Sequence, residues 1–98
     1  MILKLHKKDG RMVAAVCDSD LLGKKFEEDN KQLDLTSDFY KGEETDDMTV
    51  GDTLRNADHA NLVGEKAIKL GIQEGIIDES HVKKIADIPY AQAIIIHE

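Results

Sequence analysis

The chain opens on two runs rich in apolar residues, Ile2 to Lys8 and Arg11 to Cys17, with Asp9-Gly10 between them. Asp-Gly supplies the positive φ angles of a type I′ turn, so the segment predicts an antiparallel hairpin. A two-residue turn sets Lys8 opposite Arg11, His6 opposite Val13, Lys4 opposite Ala15 and Ile2 opposite Cys17. One face then carries Leu3, Leu5, Met12, Ala14 and Val16 and is expected to bury. The other carries Lys4, His6, Lys8 and Arg11 near the turn, with Val13, Ala15 and Cys17 farther along.

Past the hairpin, Asp18 is placed to cap a short helix through Leu22 that ends at Gly23. Lys31 to Leu35 predicts a third strand, and Thr36 to Met48 an acidic loop anchored by Phe39 and Tyr40. Thr49 and Asp52 resemble a capping box that opens a helix through about Asp58. Val63, Ala67 and Leu70 form an apolar stripe at helical spacing, widened by Leu62 and Ile72, so a second helix is expected from Ala60 to Glu74, stopped by Gly75. The break between the two helices is expected near residues 58–61, where Asp58 and Asn61 are both good caps. Asp78 caps a last short helix holding Val82, Ile85 and Ala86. Ile88 to Ile96 is a strand that tolerates Pro89 near its start. The expected class is α+β: a small antiparallel or mixed sheet, made of the N-terminal hairpin plus the C-terminal strand, with helices packed on one face.

At 98 residues the chain is expected to form a single domain over 1–98. It contains one cysteine, which rules out an intrachain disulfide and fits a cytoplasmic setting. Nothing resembles a signal peptide or an apolar stretch long enough to span a bilayer, so no membrane partner is expected. The net charge of −7 is unevenly spread: residues 1–17 carry +3, residues 18–58 carry −8 and residues 59–98 carry −2. Duplex DNA calls for a broad basic footprint, which is missing, whereas a local basic patch on the hairpin remains.

The ordered set Cys17-Asp18, Leu21-Leu22-Gly23-Lys24 with Phe26, Phe39-Tyr40, Asn61-Leu62-Val63-Gly64-Glu65 and Pro89-Tyr90-Ala91-Gln92 resembles the archaeal domain-of-unknown-function family numbered four hundred and twenty-four. The resemblance spans nearly the whole chain. It implies an archaeal cytosolic protein and brings no activity, substrate or catalytic residue with it.

The foremost candidate site is Asn61-Leu62-Val63-Gly64-Glu65. On a helix, Asn61 and Glu65 would share a face. Gly64 and Gly71 would each cost about 1 kcal/mol of helix propensity, which points to a close backbone approach by a ligand or a neighbouring element. The purely structural alternative has Asn61 capping, Glu65 pairing with Lys69 and the glycines admitting a strand. Tyr90 and Gln92 alternate onto one face of the last strand and either complete a small polar cleft with Asn61 and Glu65 or close the sheet edge. Cys17 is the weak catalytic candidate. His6 shares its face but stands about 13 Å along the hairpin, four residues at ~3.3 Å each. His59, His81 or His97 would reach the thiol only through tertiary folding. Asp18 beside it raises a thiol pKa, so burial as an inert side chain is expected.

No cofactor or metal is expected. The four histidines lack ligand spacing, residues 43–47 lack the pattern of a calcium loop, and Gly23-Lys24-Lys25 is a helix stop, not a phosphate-binding loop. Two function classes fit these features. One is a non-enzymatic binding module for RNA or a protein partner, with the translation apparatus as its suggested context, using Lys4, Lys8, Arg11 and the polar Asn61/Glu65 face. The alternative is a small enzyme using Cys17 or Glu65.

Overall fold

The computed structural model describes residues 1–96. Strands β1 (Ile2–Lys8) and β2 (Arg11–Cys17) pair antiparallel in the register that the Asp9-Gly10 turn dictates, with Lys8 opposite Arg11 and Ile2 opposite Cys17. Asp9 and Gly10 take φ +54° and +77°, the left-handed values a two-residue hairpin needs.

Residues 59–63 depart from expectation. They form strand β6 (His59–Val63), not the first turns of a helix, and pair parallel to β2. Asp58 pins its start: its backbone N–H donates to the Met12 carbonyl, and its carboxylate accepts from the Met12 N–H, both at 2.8 Å. The helix begins only after Gly64, as α2 (Glu65–Gln73). Helix α1 (Asp47–Asn56) also starts earlier than expected. Asp46 is its cap, and the Thr49 N–H is the donor that its carboxylate satisfies.

The segment after Asp78 corrects the last of the expected helices. One helical turn, Glu79–His81, leads into strand β7 (Lys83–Ile85), and Ala86-Asp87 turns the chain into β8 (Ile88–Ile94). Lys25–Glu28 (β3) and Lys31–Asp34 (β4) form a separate hairpin, so the expected third strand exists but does not join the main sheet. The acidic loop contains a turn at Asp38–Tyr40 and a two-residue strand, β5 (Glu43–Glu44), on the outer side of β1. The six-stranded mixed sheet runs β5-β1-β2-β6-β8-β7.

Both helices pack on one face of this sheet, as expected. Val50, Leu54 and Ala57, with Ala67, Ile68 and Leu70, meet Ala14, Val16, Ala60, Leu62 and Ala91. Leu5 does not join them: the helices cover the middle strands, and Leu5 on the outer strand is 44% exposed. Leu3 and Met12 are half-buried at the margin of the same cluster. A second core lies on the opposite face, where Leu33 and Leu35, with Leu21, Phe26 and Tyr40, cover Ile2, Cys17, Val63 and Ile85. No helix among the described residues is long and apolar enough to cross a membrane.

Candidate functional site

The β3–β4 hairpin covers only half of its face of the sheet. Strand register fixes what remains open. The pairs Lys4–Ala15, Ala15–Asn61 and Asn61–Gln92 form one row across β1, β2, β6 and β8, and His6–Val13, Val13–His59 and His59–Ile94 form the next. Lys8 and Arg11 close the series at the hairpin tip, on the same face. An open groove of about 830 Å³ lies over these rows.

Four of the expected site residues line this groove: Lys8, Arg11, Asn61 and Gln92. Lys4 shares their face without lining the groove. Two residues not singled out as binding groups join them, His59 and Phe39. Phe39 stands as a wall. Its ring stacks on His6 with centroids 4.6 Å apart and planes 8° from parallel, and its carbonyl lies 2.9 Å from His6 Nε2. His59 became visible as a face residue only once residues 59–63 were seen to be a strand.

Asn61 and Glu65 do not share a helix face, because Asn61 is on β6 and Glu65 opens α2. Glu65, Gly64 and Pro89 instead line a second cleft of about 510 Å³, together with Asp18, Asp20 and Asp87. The single cleft expected over Asn61–Glu65 is therefore two, on either side of the Val63–Tyr90 pair. Tyr90 is half-buried in the second core and faces neither.

Gly64 has a structural reason of its own. It takes φ +108°, and a Cβ there would stand 2.3 Å from Asp18 Cγ. Asp18 is buried and reaches across the fold to cap α2, accepting from the Lys66 N–H at 3.0 Å and the Ala67 N–H at 2.8 Å. The expected role of Asp18 at residues 19–22 is corrected accordingly: its side chain makes no cap bond to the turn Ser19–Leu21. Gly71 likewise lets α2 sit on β6, since a Cβ there would meet Leu62 Cδ1 at 2.6 Å.

Cys17 is fully buried in the second core. Burial first, and Asp18 next, push its thiol up to about 11. A thiol held protonated and away from water is a poor nucleophile. His6 is turned toward Phe39, and no hydrogen bond joins a histidine to Cys17 among the described residues. His97 lies outside the described residues. Among the described residues, no group of three or more His, Cys, Asp or Glu is arranged to hold a metal ion.

A family model described as a protein of unknown function, DUF424, matches residues 6–96. No curated protein matches the chain. Among solved structures, the crystal structure of an uncharacterized conserved protein from Methanopyrus kandleri superposes with a TM-score of 0.81. The match covers 99% of this chain and 94% of that one at 23% identity, a likeness of fold.

Proposed function

The chain belongs to the DUF424 family, whose description assigns no activity, and from the chain's own geometry we propose that it is a non-enzymatic binding module whose open sheet face takes single-stranded RNA. One observation carries this: Lys8 and Arg11 converge with Asn61, Gln92 and Phe39 on one open groove. Cations at the rim suit phosphates, and an aromatic wall with amides on the floor suits unstacked bases. The setting is an archaeal cytosol, and a component of the translation apparatus is the expected context. A protein partner on the same face is the competing outcome.

The test is binding of a mixed-sequence single-stranded RNA, followed by anisotropy across a salt series. Three phosphate contacts, by Lys4, Lys8 and Arg11, give a slope of log K against log salt of about −2. Reversing all three charges should abolish binding. An unchanged affinity in the reversed variant, or no RNA binding by the native protein, overturns the RNA reading. RNA sequencing together with protein identification after native pull-down then distinguishes a protein partner.

A further inference from the structure

The floor of the groove holds two carboxamides side by side. Asn61 and Gln92 are direct partners across β6 and β8. Two flanking backbone bonds fix which kind of pair they form. Gly64 N–H donates to the Pro89 carbonyl and Ile95 N–H to the Asp58 carbonyl. Bonded pairs alternate with non-bonded ones along an antiparallel ladder, so Asn61 and Gln92 form a non-bonded pair, with Cβ atoms roughly 4.5–5.5 Å apart. Gln92 is exposed and Asn61 half-buried. Neither carboxamide has a hydrogen-bond partner among the described residues. Together they present two carbonyl acceptors and two NH₂ donors from one rigid ladder position.

From this pair we infer that the groove reads adenine in single-stranded RNA through Asn61 and Gln92; the inference rests on the groove being an RNA site. A carboxamide fits a base edge that offers a donor beside an acceptor, and Asn or Gln against adenine N6 and N7 is the commonest such pairing. Unstacked in a single strand, adenine has two edges of that kind, N6 with N7 and N6 with N1, because its amino group carries two hydrogens. Two adjacent carboxamides can hold both edges at once. Cytosine has one such edge, N4 with N3, and the two of uracil share its single N3 hydrogen, so each leaves one amide unmatched; guanine has O6 with N1, but its second edge, N2 with N3, lies against the ribose.

The surrounding groups agree with a nucleotide in this place. Arg11 lies four residues along β2 from Ala15, the neighbour of Asn61, or about 13 Å at ~3.3 Å per residue. Long Lys8 and Arg11 side chains shorten that gap toward the distance between a base and its backbone, placing phosphates at the rim. Phe39 and exposed Ile94, both lining the groove, offer apolar surface for the faces of neighbouring bases. The charged groups lining the groove are two cations against the single carboxylate of Asp9.

The experiment compares short oligomers of A, C, G and U by fluorescence anisotropy at one fixed salt concentration. The expected result is a preference for A of about five- to tenfold, the lower end for a matched amide pair at a partly exposed site. Gln92→Met with Asn61→Ala should level the four affinities while leaving the salt slope unchanged, since the phosphate contacts remain. Retention of the native circular dichroism spectrum shows that the double variant is folded; Gln92→Met alone, at an exposed position, should halve the preference or more. Equal binding of all four oligomers by the native protein overturns the adenine inference and leaves the RNA reading standing. So does a preference for A that survives loss of both amides. Failure of every oligomer to bind overturns the RNA reading, and the inference with it.

Discussion

Asp18 and Gly64 form a single device in which a carboxylate from the end of β2 caps a helix that begins 47 positions later at Glu65. Replacing Asp18 with Ala removes the acceptor of the Lys66 and Ala67 N–H groups. Loss of a helix cap costs about 1 kcal/mol, and a second buried donor left unpaired adds about 1–2 kcal/mol, so the variant should lose roughly 2–3 kcal/mol. Asp18→Asn keeps an acceptor of the same reach, and should cost about half as much. Gly64→Ala places a Cβ 2.5 Å from Asp18 Oδ2 on backbone at φ +108°. Backbone strain there is worth about 1–3 kcal/mol, and the collision adds to it. The two substitutions should therefore be coupled, because truncating Asp18 removes the atoms the new Cβ meets. Gly64→Ala should cost about 1 kcal/mol less in the Asp18→Ala background than alone. Urea unfolding followed by far-UV circular dichroism measures all four corners of the cycle. Additivity within about 0.5 kcal/mol, or an Asp18→Ala variant as stable as the native protein, would refute the shared device.

Two further expectations follow from burial and backbone conformation. Burial raises the Cys17 thiol from 9.0 to about 11 and the Tyr40 hydroxyl from 10.0 to about 12. Both acids favour the folded chain while protonated, so this stability is complete below pH 9 and is lost between pH 9 and 12, as the unfolded chain ionises first. Cys17→Ala should flatten the lower part of that alkaline decline in urea midpoints, and an unchanged slope would count against a buried, protonated thiol. At the β7–β8 turn, Ala86 takes φ +50° without being glycine. Ala86→Gly should relieve left-handed strain and stabilise the protein by about 0.5–1 kcal/mol net of the added chain entropy, which raises the melting temperature by a few degrees. A lowered melting temperature would refute that account.

The legible parts of the fold were those where local chemistry admits one answer. Asp9-Gly10 between two strand-like runs fixes turn type, and turn type fixes register, so the pairing of Lys8 with Arg11 could be read directly from the sequence. His59-Ala60-Asn61-Leu62-Val63 admits two answers. It alternates as a strand, yet Leu62 and Val63 also extend the helical stripe of Ala67 and Leu70, and five residues are too few to separate the two periods. Parallel pairing with β2, a contact distant in sequence, decides between them. The available signal was Gly64, which is costly inside a helix and natural at a strand-to-helix junction with φ +108°. The β7–β8 turn gave weaker warning, because Ala86-Asp87 lacks the glycine or asparagine that marks such turns. Correcting β6 also divides the candidate site: a helical one-turn spacing put Asn61 with Glu65, whereas strand pairing puts Asn61 with Gln92.

A polar sheet face facing water needs no function, since antiparallel sheets commonly solvate one side. What sets this face apart is a change in character partway along the same four strands. The row Ile2, Cys17, Val63 and Tyr90 lies under the β3–β4 hairpin and its neighbours in an apolar second core. One step along each side-chain ladder, the row becomes Lys4, Ala15, Asn61 and Gln92, and the covering layer stops. The Asp38–Tyr40 turn, with Phe39 against His6 and Tyr40 in the second core, stands at that boundary and gives the uncovered half a wall. A face that only solvated its strands would gain nothing from a wall that removes water from part of it. Two unpartnered amides beside an aromatic surface, with cations at the open end, are instead the complement of a ligand that is polar at its edges, flat on its faces and negatively charged along its backbone.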